Sequence, residues 1–106
     1  MAYTDKQEFN IPRHIVQKGS VNSESITGNK TLTYKDSTYQ ILTTNGALDL
    51  ILPPEKDGAV FVVRNHPDSL GILTVKNDSG SSIDSRAAGE AFILVCDGTT
   101  WHVALK

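Results

Sequence analysis

With one cysteine in 106 residues, Cys96, the chain can form no internal disulfide, and its stability must come from packing. Aromatic residues are few: three Phe, three Tyr and one Trp. Neither charge sign dominates. Ten Lys and Arg stand against twelve Asp and Glu, a net charge of −2, which excludes the basic field that holds nucleic acid or an acidic membrane. Long hydrophobic runs are missing too. Ala91–Cys96 is among the longest, far short of the ~20 residues of a membrane-spanning helix. The opening Met1-Ala2-Tyr3-Thr4-Asp5-Lys6-Gln7-Glu8 has no apolar stretch, so we expect no secretory signal and synthesis in a reducing cytoplasm. Motifs of catalysis are equally scarce. There is no glycine-rich phosphate loop, no His-Glu-x-x-His and no Gly-x-Ser-x-Gly. His14, His66 and His102 are dispersed without ligand spacing, so no metal site, cofactor or catalytic residue is expected.

What is abundant is small and polar. Ten Thr, nine Ser, six Asn and eight Gly favour many short strands joined by turns over long helices. Strand signals follow one another from Thr31 onward: Thr31–Tyr34, Thr38–Thr44, Ala47–Leu52, Ala59–Asn65, Gly71–Lys76, Ser82–Asp84, Ala91–Cys96 and Trp101–Leu105. Leu48, Leu50 and Leu52 share one face at period two and should point inward, and Pro53-Pro54 closes that strand. Asn45-Gly46 between two β-rich runs predicts a type I′ hairpin, and Ala91–Cys96 and Trp101–Leu105 a final hairpin across Asp97-Gly98-Thr99-Thr100. Ala59–Val63 is apolar on both faces, as in a central strand. No stretch keeps helical periodicity over three turns. The expected fold is therefore all-β: a small antiparallel sandwich or barrel of seven to eight short strands.

Apolar residues number 9 in the first 30 positions and 32 in the remaining 76. The change falls near Gly28-Asn29-Lys30. Residues 1–28 read as an extended N-terminal arm, and 29–106 as one all-β domain. The arm holds an apolar cluster, Phe9, Ile11, Pro12, Ile15 and Val16, that either packs on the body as an extra edge strand or docks onto a partner surface. Cys96, set among Phe92–Val95, reads as a buried, inert thiol. Trp101, Tyr34 and Tyr39 read as packing aromatics, or alternatively as ligand-facing aromatics on exposed loops. Strands with two apolar faces in so small a domain, with no helix to cover the second face, call for a partner subunit.

The order Leu48-Asp49-Leu50-Ile51-Leu52-Pro53, Gly58-Ala59-Val60-Phe61-Val62-Val63-Arg64-Asn65, Leu73-Thr74-Val75, Ile83, Gly89-Glu90 and Asp97-Gly98-Thr99-Thr100-Trp101 resembles small β-rich domains of tailed-bacteriophage structural proteins. These occur in head decoration (cement) proteins, head fibres and tail fibres. The pattern covers about residues 31–106 and contains no catalytic motif. The resemblance implies a non-enzymatic virion protein that decorates the capsid surface, binds the major capsid protein and assembles as a homo-oligomer, a trimer before a dimer. It implies no membrane or nucleic-acid partner. The alternative within the same resemblance is a carbohydrate- or receptor-binding β module of a tail or head fibre, which would use Tyr34, Tyr39 or Trp101.

Overall fold

Period-two alternation decides which way each strand faces. The computed structural model describes residues 18–105, and among them no helix occurs. Nine strands form: β1 (Lys18–Ile26), β2 (Lys30–Thr31), β3 (Ser37–Thr44), β4 (Leu48–Ile51), β5 (Val60–Asn65), β6 (Leu73–Lys76), β7 (Ser82–Arg86), β8 (Ala91–Cys96) and β9 (Trp101–Leu105). They make two sheets, one of five strands in the order β1-β3-β5-β8-β9 and one of four in the order β2-β4-β6-β7. Leu42, Phe61, Val63, Phe92, Leu94 and Cys96 from the first sheet meet Leu50, Leu52, Leu73 and Val75 from the second in one core. Fully burying each such side chain is worth roughly 1.5–3 kcal/mol. Leu48, Leu50 and Leu52 point inward as their spacing predicts, Leu50 and Leu52 fully and Leu48 partly buried against the core. Cys96 is buried as well.

The expected antiparallel barrel or sandwich of seven to eight strands needs correcting. Among the described residues the sheets are mixed, the strands number nine, and no barrel closes. β1, β3 and β5 pair in parallel, as do β2, β4 and β6. Parallel neighbours need a crossover, and here each crossover is a strand of the opposite sheet. The chain thus winds as a flattened coil, returning to the five-stranded sheet at Val21, Tyr39 and Val62 and to the four-stranded sheet at Lys30, Leu50 and Val75. After β6 the direction reverses, and β7, β8 and β9 finish both sheets with antiparallel pairs.

Asn45-Gly46 is consequently a corner between sheets and not a hairpin. Gly46 is not among the glycines with positive φ, which a type I′ turn would require. The corner is fixed by the one stacked next to it. The Thr44 N–H donates to Ser69 Oγ at 2.9 Å, the Leu70 N–H to the Thr44 carbonyl at 2.9 Å, and the Leu48 N–H to the Ile72 carbonyl at 3.1 Å. Those bonds carry β4 away from β3 and deliver Leu48 and Leu50 to the opposite side of the core. The second predicted hairpin does form. Gly98 adopts φ 97°, Asp97 Oδ1 accepts the N–H groups of Thr99 and Thr100 at 2.9 and 2.8 Å, and β8 pairs with β9.

The ninth strand, β1, falls within the stretch read as an arm. Residues 18–26 are an edge strand of the five-stranded sheet, paired with β3. Polar groups hold it there. Asn22 Nδ2 donates to Gln40 Oε1 at 2.7 Å and to Glu24 Oε2 at 2.8 Å, and Lys30 Nζ meets Glu24 Oε2 at 2.8 Å. The Lys30 ammonium, and after it the Asn22 amide, hold the Glu24 carboxyl below its ordinary range. Only Ile26 of this strand joins the buried core.

Candidate interaction face

The five-stranded sheet has an outer side that nothing in the described chain covers. One residue from each strand lines up across it: Val21 pairs with Tyr39, Tyr39 with Val62, Val62 with Ile93, and Ile93 with Leu105. At ~4.8 Å per strand this apolar row is about 19 Å long. Val21 is 60%, Tyr39 44% and Leu105 62% exposed. Two shallow depressions of about 340 and 280 Å³ lie along the row and share Val62 and Ala91. Ile41 and Val95 widen it, and Arg64 is the exposed charge at its border. The largest apolar patches on soluble domains measure about 300–600 Å² and are often functional.

The outer side of the four-stranded sheet is built differently. There Lys76 Nζ pairs with Asp49 Oδ2 at 2.9 Å, and the hydroxyls of Thr74 and Ser85 lie 3.0 Å apart. Thr31 and Ser82 are exposed on the same sheet. One outer face is therefore mainly apolar and the other mainly polar, although Ile51, paired with Lys76, and the half-exposed Ile72 also belong to the latter.

The expected site residues separate sharply. Phe9, Ile11, Pro12, Ile15 and Val16 lie outside the described residues. Trp101 is 4% exposed, and its indole N–H donates to the Pro53 carbonyl at 3.2 Å. It packs on Phe61 at 6.0 Å between ring centroids, and Phe61 stacks on Tyr34 at 6.5 Å. The Tyr34 hydroxyl donates to the Pro54 carbonyl. Trp101 and Tyr34 are thus parts of the packing at one end of the core. Only Tyr39 of the three faces solvent, and it belongs to the apolar row. A polar cleft of about 310 Å³ runs beside Trp101 and is lined by Glu55, Asn77, Ser82, Thr99 and Thr100. Among the described residues no group of three or more His, Cys, Asp and Glu could hold a metal ion. Nor is any helix among those residues long and apolar enough to cross a membrane.

Burial, and after it the nearby carboxylates of Glu55 and Asp78, raise the Tyr34 phenol from its ordinary 10 to about 12. A group whose pKa is raised on folding stabilises the fold fully below its unfolded pKa and loses that contribution as pH rises through the folded value. Stability should therefore fall between pH 10 and about 12 in the native protein. In Tyr34→Phe that part of the alkaline loss should disappear, which thermal melts across the same pH range will read. Identical alkaline profiles for the two proteins would contradict the assignment.

The apolar row carried a signal in the sequence, namely the two-sided apolar strands at Ala59–Val63 and Ala91–Cys96. Tyr39 was singled out only as an aromatic, and Val21 and Leu105 carried no signal, because their alignment depends on the parallel winding. No protein-family model, curated protein or solved structure matches the chain.

Proposed function

We propose that the chain is a non-enzymatic viral structural protein, a capsid decoration (cement) protein of a tailed bacteriophage. On this reading it self-associates, a trimer before a dimer, binds the major capsid protein and resides on the head surface of the virion. The single observation that supports it best is the contrast between the two outer faces. A 19 Å apolar row on one sheet backs onto an ion pair and hydroxyls on the other, as suits a small body that buries one face in an assembly and turns the other to solvent. The two facing sheets also fit a sandwich-like arrangement, rigid enough to present that row in a fixed geometry. The carbohydrate- or receptor-binding alternative draws less support, since Trp101 and Tyr34 are taken up by packing and the depression beside Tyr39 is lined mainly by Val21, Ile41, Val62 and Ala91, with no carboxylate.

The test is binding to heads of the virus whose genome encodes the chain. Purified protein added to mature heads lacking it should sediment with them, saturate at a fixed number of copies and raise their resistance to heat. Absence of binding to heads, together with retention on a glycan surface, would overturn the proposal in favour of the receptor-binding alternative.

A further inference from the structure

Asparagine followed by glycine is among the least durable pairings in a protein chain. The glycine nitrogen, with no Cβ beside it, can attack the asparagine side-chain carbon and expel ammonia. Whether a fold permits this depends on two local conditions. The side chain must be free to swing back onto the following nitrogen, and that N–H must not be held by an acceptor elsewhere.

Five of the six asparagines lie among the described residues, and four of them are tied. Asn22 Nδ2 donates to Glu24 and Gln40, and Asn65 Nδ2 to the carbonyls of Gly71 and Arg86. Asn29 Oδ1 accepts the Asp49 N–H at 2.9 Å, and Asn77 Oδ1 those of Ser79 and Ser81 at 3.0 and 2.9 Å. Asn45 is the exception. Its side chain is exposed and has no hydrogen-bond partner among the described residues.

The backbone of the corner meets the second condition. Thr44 and Leu48 carry the bonds that hold it, and the Gly46 N–H between them donates to no acceptor among the described residues. Apart from its chain neighbours, no atom lies within 4 Å of where a Gly46 Cβ would stand. Two acidic counterparts of the motif, Asp57-Gly58 and Asp97-Gly98, are guarded by contrast. The Gly58 N–H donates to the Cys96 carbonyl at 3.0 Å. Asp97 accepts the Thr99 and Thr100 N–H groups through Oδ1 and faces His102 Nε2 at 2.9 Å through Oδ2.

We propose that Asn45 is a modification site of this protein, converted in the folded chain to aspartate and isoaspartate. The only co-reactant is water. The Gly46 nitrogen gives its proton to solvent base and bonds to Asn45 Cγ. The Cγ–Nδ2 bond breaks, and the nitrogen leaves, protonated, as ammonia. Water then opens the five-membered imide, so one water is consumed for each ammonia released and nothing is oxidised or reduced. Opening at Cγ gives aspartate; opening at the backbone carbonyl gives isoaspartate, with the chain running through the former side chain. Either product adds one negative charge, taking the net charge from −2 to −3. Isoaspartate also lengthens the backbone by one carbon between Thr44 and Leu48, where Gly46 lies backbone to backbone against Gly71. This chemistry does not depend on what the protein assembles with.

The test holds native full-length protein in warm, mildly alkaline buffer, beside a second sample unfolded in urea. Mass-spectrometric peptide mapping reads conversion at each asparagine, and methylation by an isoaspartyl methyltransferase with S-adenosylmethionine reads isoaspartate. In the native sample Asn45 should convert at least about tenfold faster than any other asparagine. Asp97 should form isoaspartate at least about tenfold more slowly in the native sample than in urea. Asn45→Gln and Gly46→Ala should each slow the acidic shift on isoelectric focusing by at least about tenfold. Both variants should fold, because neither position is packed against another side chain. Asn45 left intact in the native sample while it converts in urea would overturn the proposal, since the corner would then protect it. So would conversion led by another asparagine, an acidic shift that persists in Asn45→Gln, or equal isoaspartate at Asp97 in the two samples.

Discussion

Gly71→Ala is expected to destabilise the protein by at least about 2 kcal/mol, lowering Tm by on the order of 10 °C for a chain of this size. A Cβ at this position would lie 2.2 Å from the Gly46 carbonyl carbon and 2.4 Å from the Ala47 nitrogen. Both are backbone atoms of the corner between β3 and β4, and that corner is hydrogen-bonded to Ser69, Leu70 and Ile72. It can withdraw only by breaking those bonds. Gly46→Ala is the matching control. Nothing lies within 4 Å of its added Cβ, and its φ is not positive, so it should change Tm by a degree or two at most. A type I′ hairpin at Asn45-Gly46 predicts the reverse order, with Gly46 intolerant and Gly71 indifferent. Thermal melts of the two variants therefore separate the coil from the hairpin.

On the proposed self-association, Val62→Lys is expected to weaken assembly while leaving the protomer folded. Val62 is the central member of the row and lies in both depressions of the outer face. An ammonium buried there against a partner has no carboxylate to meet, and a hot-spot loss of about 2 kcal/mol or more corresponds to at least ~30-fold weaker association per contact. The inner residues of the same strand, Phe61 and Val63, keep their packing, so the circular dichroism spectrum should be unchanged and the isolated protomer should melt cooperatively. Thr74→Lys on the polar outer face should leave association unaltered. Equal association of Val62→Lys and the native chain in sedimentation velocity would remove the row from the interface.

How far the fold could be read from residues depended on whether the information was local. Asp97-Gly98 specified its hairpin because both the left-handed glycine and the carboxylate that caps the turn are within four residues of each other. Leu48, Leu50 and Leu52 specified their inward face by period alone. Asn45-Gly46 misled because its geometry is set by Ser69–Ile72, more than twenty residues away, and turn chemistry cannot register so distant a partner. β1 was hidden for a different reason. Its inward positions include Asn22 and Glu24, which use amide and ion-pair contacts with Gln40 and Lys30 where a leucine would ordinarily mark a strand. The interaction face was half legible. Two-sided apolar strands at Ala59–Val63 and Ala91–Cys96 announced a second dry surface, but its full width from Val21 to Leu105 exists only once five strands are in register. Trp101 and Tyr34 show the converse, since aromatic type suggests a ligand platform until Pro53 and Pro54 are seen to take their polar groups.

The central claim is that the dry outer face of the five-stranded sheet is a contact between copies of this chain. Its most direct test is the light-scattering mass of the native full-length protein at tens of micromolar. The account predicts one discrete species at a whole multiple of the 11.5 kDa protomer, three before two. A single species at 11.5 kDa under those conditions would contradict it.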